Sequence, residues 1–106
     1  MRENWKPISE QYRLAAQEWV ELDAAARMLD EGKSAFIAQQ INALGDMPHS
    51  KADRIVRSSK GYADYIKKMV TTRTIANRQK VELEYLKMRH MERTSEEANQ
   101  RSERKL

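Results

Sequence analysis

Residues 45–53 read Gly45-Asp46-Met47-Pro48-His49-Ser50-Lys51-Ala52-Asp53, and here a helix has to stop and start again. Gly45 readily takes the left-handed backbone that ends a helix, and Pro48 lacks an N–H and clashes with any preceding turn. On both sides of this corner, over residues 8–44 and 50–92, apolar side chains recur at alternating four- and three-residue steps. That period belongs to a helix with one narrow buried stripe. The expected fold is therefore all-α: an antiparallel, coiled-coil-like two-helix hairpin with helix 1 over about 8–44, a turn at 45–49, helix 2 over about 50–92 and a polar tail at 93–106.

The expected seam of helix 1 runs Ile8, Tyr12, Ala15, Trp19, Leu22, Ala26, Leu29, Lys33, Phe36, Gln40, Ala43. Pro7 stands just upstream, where a missing N–H costs nothing. Gly32 interrupts the pattern and costs about 1 kcal/mol relative to Ala, a weak point or slight bend rather than an end. Helix 2 is expected to open on Ser50-Lys51-Ala52-Asp53, a variant of the capping box, and to present Ile55, Ser59, Tyr62, Ile66, Met69, Arg73, Ala76, Lys80, Leu83. Folding back about the corner pairs residues whose numbers sum to about 95. Trp19 then meets Ala76, Ala26 meets Met69, Leu29 meets Ile66 and Phe36 meets Ser59, so large faces small at most layers. Arg73 falls near Leu22 and Asp23, and Lys80 near Ala15 and Glu18. Their stems cover the seam while their heads reach those carboxylates, and polar seam positions fix register.

A second apolar stripe lies beside the first on helix 2: Val56, Ala63, Val70, Val81, Met88, with Ala16, Val20 and Met28 off the seam of helix 1. One hairpin cannot bury both stripes, and a large apolar side chain left wet forgoes about 1.5–3 kcal/mol. Either two hairpins dimerise into a four-helix bundle, or the stripe docks another protein.

Charge is distributed unevenly. Residues 1–50 hold five Lys and Arg against eight Asp and Glu, residues 51–80 nine against two, and residues 81–106 six against six. An acidic first helix suits a basic second one within a single hairpin. The outer face of helix 2 is different: at 100° per residue, Lys60, Lys67 and Arg78 fall within about 20° of one another, with Arg57 and Lys68 alongside. Facing away from helix 1, these cations are free to follow nucleic-acid phosphates or an acidic protein ridge. No aromatic side chain interleaves them, which disfavours a stacking platform for single strands, and the helices are too long for a helix-turn-helix reader.

Other chemistry finds little support. Gly32-Lys33-Ser34 resembles the end of a phosphate-binding loop, but Arg27 stands where the companion glycine belongs and no strand precedes it. His49 and His90 are expected at opposite ends of the hairpin, unable to share a metal. No inward Glu-x-x-His element occurs, no nucleophile lies beside a base, and a two-helix hairpin has no cleft of its own. The expectation is a non-enzymatic protein with no cofactor, no metal and no small-molecule substrate. Cysteine is absent, so no disulfide framework exists, in keeping with a reducing cytoplasm. No apolar run is long enough for a membrane span and none follows the basic start as a secretion signal, so no membrane partner is expected.

Ser50-Lys51-Ala52-Asp53-Arg54-Ile55-Val56-Arg57-Ser58-Ser59, with Ala76-Asn77 and Val81-Glu82-Leu83-Glu84-Tyr85-Leu86-Lys87-Met88-Arg89, resembles small all-helical proteins encoded by bacteriophages and prophages. The resemblance covers most of helix 2 and the tail and carries no catalytic motif. It implies an accessory factor in a bacterial host cytoplasm, either inhibiting a host defence complex that targets nucleic acid or assisting phage recombination. The expected partners are a protein or a second copy of the chain, with direct nucleic-acid binding and a self-assembling structural bundle as the alternatives.

Overall fold

The computed structural model describes residues 5–105, with side chains for residues 5–104. Among these residues there are three helices and no strand: α1 (Ile8–Ala43), α2 (His49–Arg57) and α3 (Lys60–Lys105). The all-α expectation holds. The expected second helix, however, is divided at Ser58-Ser59, and its distal part runs through the expected polar tail.

Each boundary has a local cause. The Pro7 carbonyl accepts from the backbone N–H groups of Glu10 and Gln11, both at 3.0 Å, and so opens α1. At the other end, Leu44 N donates to Ile41 O at 3.1 Å and Gly45 N to Asn42 O at 3.2 Å, tightening the last turn. Gly45 then takes φ +83°, which accounts for a glycine there. The capping box expected at Ser50 does not form. Pro48 is itself the N-cap of α2, without a side-chain cap bond, so Ser50 already lies inside the first turn. Asp53 turns to Arg57 instead, with Nε donating at 3.0 and 3.1 Å.

One hydroxyl makes the Ser58-Ser59 break. Ser59 Oγ donates to Val56 O at 2.6 Å and accepts from Tyr62 N at 3.2 Å. It thus satisfies a terminal carbonyl of α2 and serves as the N-cap of α3. Ser58, at φ −94° and ψ −1°, shares its N–H between Arg54 O and Ile55 O. The interruption resets the helical phase. On α2 the buried residues are Ala52 and Val56, 1% and 3% exposed, while Ile55, expected on the seam, is 41% exposed.

The helices make two compact units, Leu22–Ala76 and the described parts of Met1–Glu21 with Asn77–Leu106. In the Leu22–Ala76 unit, Tyr65 Oη donates to Leu29 O at 2.7 Å and the Tyr65 ring stacks on Phe36, centroids 4.6 Å apart. Phe36 therefore packs on Tyr65, and its ring tip also borders Gly61 next to the Ser59 hydroxyl. Gly32 gains a purpose, because a Cβ there would lie 3.1 Å from the Tyr65 hydroxyl oxygen. Arg73 bridges Asp23 at 2.8 Å and Asp30 at 3.3 Å, as its seam position implied for Asp23. These contacts keep the expected antiparallel register of α1 against α3 within this unit. Its buried residues are Ala26, Ile37, Ala52, Val56 and Ala76, a core of mostly small side chains that lets backbones approach closely.

In the other unit Ile8, Ala15 and Leu86 are buried. Gln79 Nε2 donates to Ala15 O at 3.1 Å. Lys80, expected near Ala15, is exposed. The uncharged amide takes that place, since it satisfies a carbonyl without desolvating an ammonium. From Lys87 to Arg104 every side chain is exposed. Within this stretch of α3 the Thr94 hydroxyl donates to His90 O at 3.0 Å.

Candidate interaction surfaces

α3 carries most of the residues singled out for binding. In the Leu22–Ala76 unit, Lys60, Ala63, Lys67 and Val70 follow one another at steps of three, four and three residues, and all four are exposed. Val70 keeps 56% of its surface. The spacing places them on one strip, turned away from the side of the same helix that carries half-buried Tyr65 and Met69 and buried Ala76. Lys68 is exposed beside the strip. Val56 does not belong to it: at 3% exposure on α2 it is core, because the Ser58-Ser59 break turns it inward.

The cations differ in how they are held. Arg13 pairs with Glu10, Arg27 with Asp23, Arg57 with Asp53, Arg73 with Asp23 and Asp30, and Arg93 with Glu97. Lys60, Lys67, Lys68 and Arg78 make no ion pair among the described residues. Arg57 is thus corrected from a free cation to an engaged one. Hydrogen bonding to Asp53 raises its pKa further, and its guanidinium lies 5.8 Å from the Tyr62 ring centroid. On the seam, the hydrogen bond from Arg73, with Arg27 nearby, holds the Asp23 carboxyl below its usual range.

In the other unit, Val81 and Met88 are 66% and 60% exposed on α3, and Arg78 is exposed. Tyr85 and Met91, at 52% and 58%, share this exposure and were not singled out from the sequence. The missed signal for Tyr85 is its place four residues after Val81 and three before Met88. On α1, Val20 and Met28 are exposed, as their off-seam positions implied.

A shallow open groove of about 240 Å³ lies in this same unit, with Glu18 and Glu82 among its walls and Leu14 and Leu86 providing its apolar part. Its wall also carries Gln79, whose amide is already occupied by the Ala15 carbonyl. Among the described residues, no three His, Asp or Glu side chains gather as metal ligands. No helix among the described residues is long and apolar enough to cross a membrane. No family model, curated protein or solved structure shows significant similarity to this chain.

Proposed function

We propose that this chain is a non-enzymatic binding protein that lays the Lys60-Ala63-Lys67-Val70 strip of α3 against an acidic protein surface. The observation that carries this reading is the contrast in charge pairing. Among the described residues five arginines have carboxylate partners, while Lys60 and Lys67 have none and alternate with exposed Ala63 and Val70, with Lys68, also without an ion pair, beside them. Unpaired cations steer an anionic partner, and aliphatic groups between them reward contact with a protein more than with a phosphate backbone. Tyr62 and Tyr65 are half-buried, which leaves bases no exposed ring to stack on in this stretch.

The resemblance to phage-encoded helical proteins supports an accessory role in a bacterial cytoplasm, with a nucleic-acid-processing complex as the target: a defence complex to be inhibited, or a recombination complex to be assisted. Co-purification from a bacterial host, followed by mass spectrometry, tests the reading when wild type is compared with Val70→Asp and with Lys60→Glu/Lys67→Glu. Both variants are expected to lose the same acidic partner while far-ultraviolet circular dichroism stays unchanged. Retention of that partner by both variants rejects the strip. A gel-shift titration at two ionic strengths separates direct nucleic-acid binding, which would give a shift that collapses with salt.

A further inference from the structure

Beyond Met88 the sequence adds an acidic mirror to a basic start. Arg78, Val81, Tyr85, Met88 and Glu92 follow one another at steps of three, four, three and four residues, the repeat of a coiled-coil seam. All five are exposed, and Val81, Tyr85 and Met88 keep 66%, 52% and 60% of their surfaces. At 100° per residue they fall within about 80° of arc, on the side of α3 away from buried Leu86 and half-buried Leu83. Neither Arg78 nor Glu92 makes an ion pair among the described residues. Being fourteen residues apart, about 21 Å along the helix, they cannot reach each other within one chain.

The arrangement is self-complementary about Tyr85. We infer that this strip pairs with the same strip of a second copy of the chain, the two α3 segments running antiparallel with a two-fold axis at Tyr85. Each Arg78 then meets the Glu92 of the other copy, each Val81 meets a Met88, and the two Tyr85 rings meet at the axis. This is an isologous interface, in which one patch serves both partners. The parallel arrangement would set Arg78 on Arg78 and Glu92 on Glu92, so charge selects the antiparallel one. The Arg89 guanidinium lies over the Tyr85 ring of its own chain, 5.9 Å from the centroid, and so stands beside the axis. Three large apolar side chains per copy bury less than the ~1,200 Å² low end of stable interfaces, so the dimer is reversible, with a dissociation constant in the micromolar range or weaker. The inference uses no residue of the Lys60-to-Val70 strip and does not depend on the function proposed for it.

Sedimentation equilibrium of the full chain, from micromolar to several hundred micromolar, tests the pairing. Wild type is expected to pass from monomer to dimer. Arg78→Glu and Glu92→Arg are each expected to weaken the dimer at least about tenfold, because each reversal turns both symmetry-related ion pairs into repulsions. Arg78→Glu with Glu92→Arg is expected to restore it. Circular dichroism of each variant distinguishes a lost interface from a lost fold. The chain has no cysteine, so Tyr85→Cys is expected to give a disulfide-linked dimer under mild oxidation much faster than Lys87→Cys, which lies about 160° away around the helix from Tyr85. A monomer at every concentration leaves the strip to some other protein and overturns the inference. So does a dimer indifferent to the single reversals, or one that the double reversal fails to recover.

Discussion

At Gly32 two effects of similar size oppose each other. Alanine would gain about 1 kcal/mol of helix propensity. Its Cβ, however, would stand 3.1 Å from a Tyr65 hydroxyl that is fixed twice, by its bond to Leu29 O and by the Phe36 stack behind its ring. The hydroxyl can move only by lengthening a 2.7 Å hydrogen bond. Gly32→Ala is therefore expected to lower stability by up to about 1 kcal/mol in the wild-type chain. Tyr65→Phe alone should cost about 1 kcal/mol for the lost hydrogen bond. In the Tyr65→Phe background, Gly32→Ala should become stabilising by about 1 kcal/mol. Urea denaturation of the four proteins closes the cycle, and an interaction energy near zero would show that Gly32 is not there for Tyr65. From sequence, Gly32 reads as a flaw in an otherwise continuous helix. Its partner lies on another helix, and no local pattern points to it.

The same limit shows at the scale of elements. The corner at Gly45–Pro48 was legible because glycine and proline change what the backbone itself can do. The second seam was legible in register, down to Arg73 reaching Asp23, because register follows from where the corner lies. The Ser58-Ser59 break was not legible. Ile55, Ser59 and Tyr62 continue the helical period across it, and serine is tolerated inside helices as well as at their ends. What separates the two outcomes is one hydroxyl bonded in both directions, and with it the choice of Val56 over Ile55 as core. Ser59→Ala is accordingly expected to destabilise the chain by about 1 kcal/mol, within the 0.5–2 kcal/mol range of lost N-caps. Ser59→Asp should recover part of this, since its carboxylate still accepts from Tyr62 N but cannot donate to Val56 O. Ser58→Ala serves as the control, expected within about 0.5 kcal/mol of wild type. Equal effects at positions 58 and 59 in urea melts would remove the capping role. The binding strips followed the same rule: Ala63, Val70, Val81 and Met88 were readable on α3, whereas Val56, across the break, was not.

For the whole molecule the governing balance is charge: 20 Lys and Arg against 16 Asp and Glu. Near neutral pH most of the resulting repulsion is offset by carboxylates, two of which are tuned by the fold. Glu10 is held below its usual range chiefly by the hydrogen bond from Arg13, and Asp23 chiefly by the one from Arg73. A carboxyl with a lowered folded-state pKa adds stability above its unfolded-state pKa and loses it as pH falls through the folded value. Both contributions are therefore complete at pH 7 and are lost as pH falls from the ordinary carboxylate range near pH 4 through the lowered folded-state values, just where the other carboxylates also neutralise and leave the 20 Lys and Arg side chains to repel without compensation. The two groups should not count equally. Glu10 and Arg13 lie three residues apart on one exposed helix turn, a pair of the kind that contributes little. Asp23 instead ties α1 to α3 through Arg73, and Asp30 shares that guanidinium. Thermal melts by circular dichroism should show a melting temperature that falls steeply between about pH 5 and pH 2, more gently in high salt, where screening weakens the repulsion. Asp23→Asn should lower the melting temperature at pH 7 and flatten the acid limb, because the group that titrates there is gone. Glu10→Gln should do neither to a comparable degree. Identical acid limbs for wild type and Asp23→Asn would place the acid sensitivity in bulk repulsion alone and leave the Arg73 bridge a matter of register.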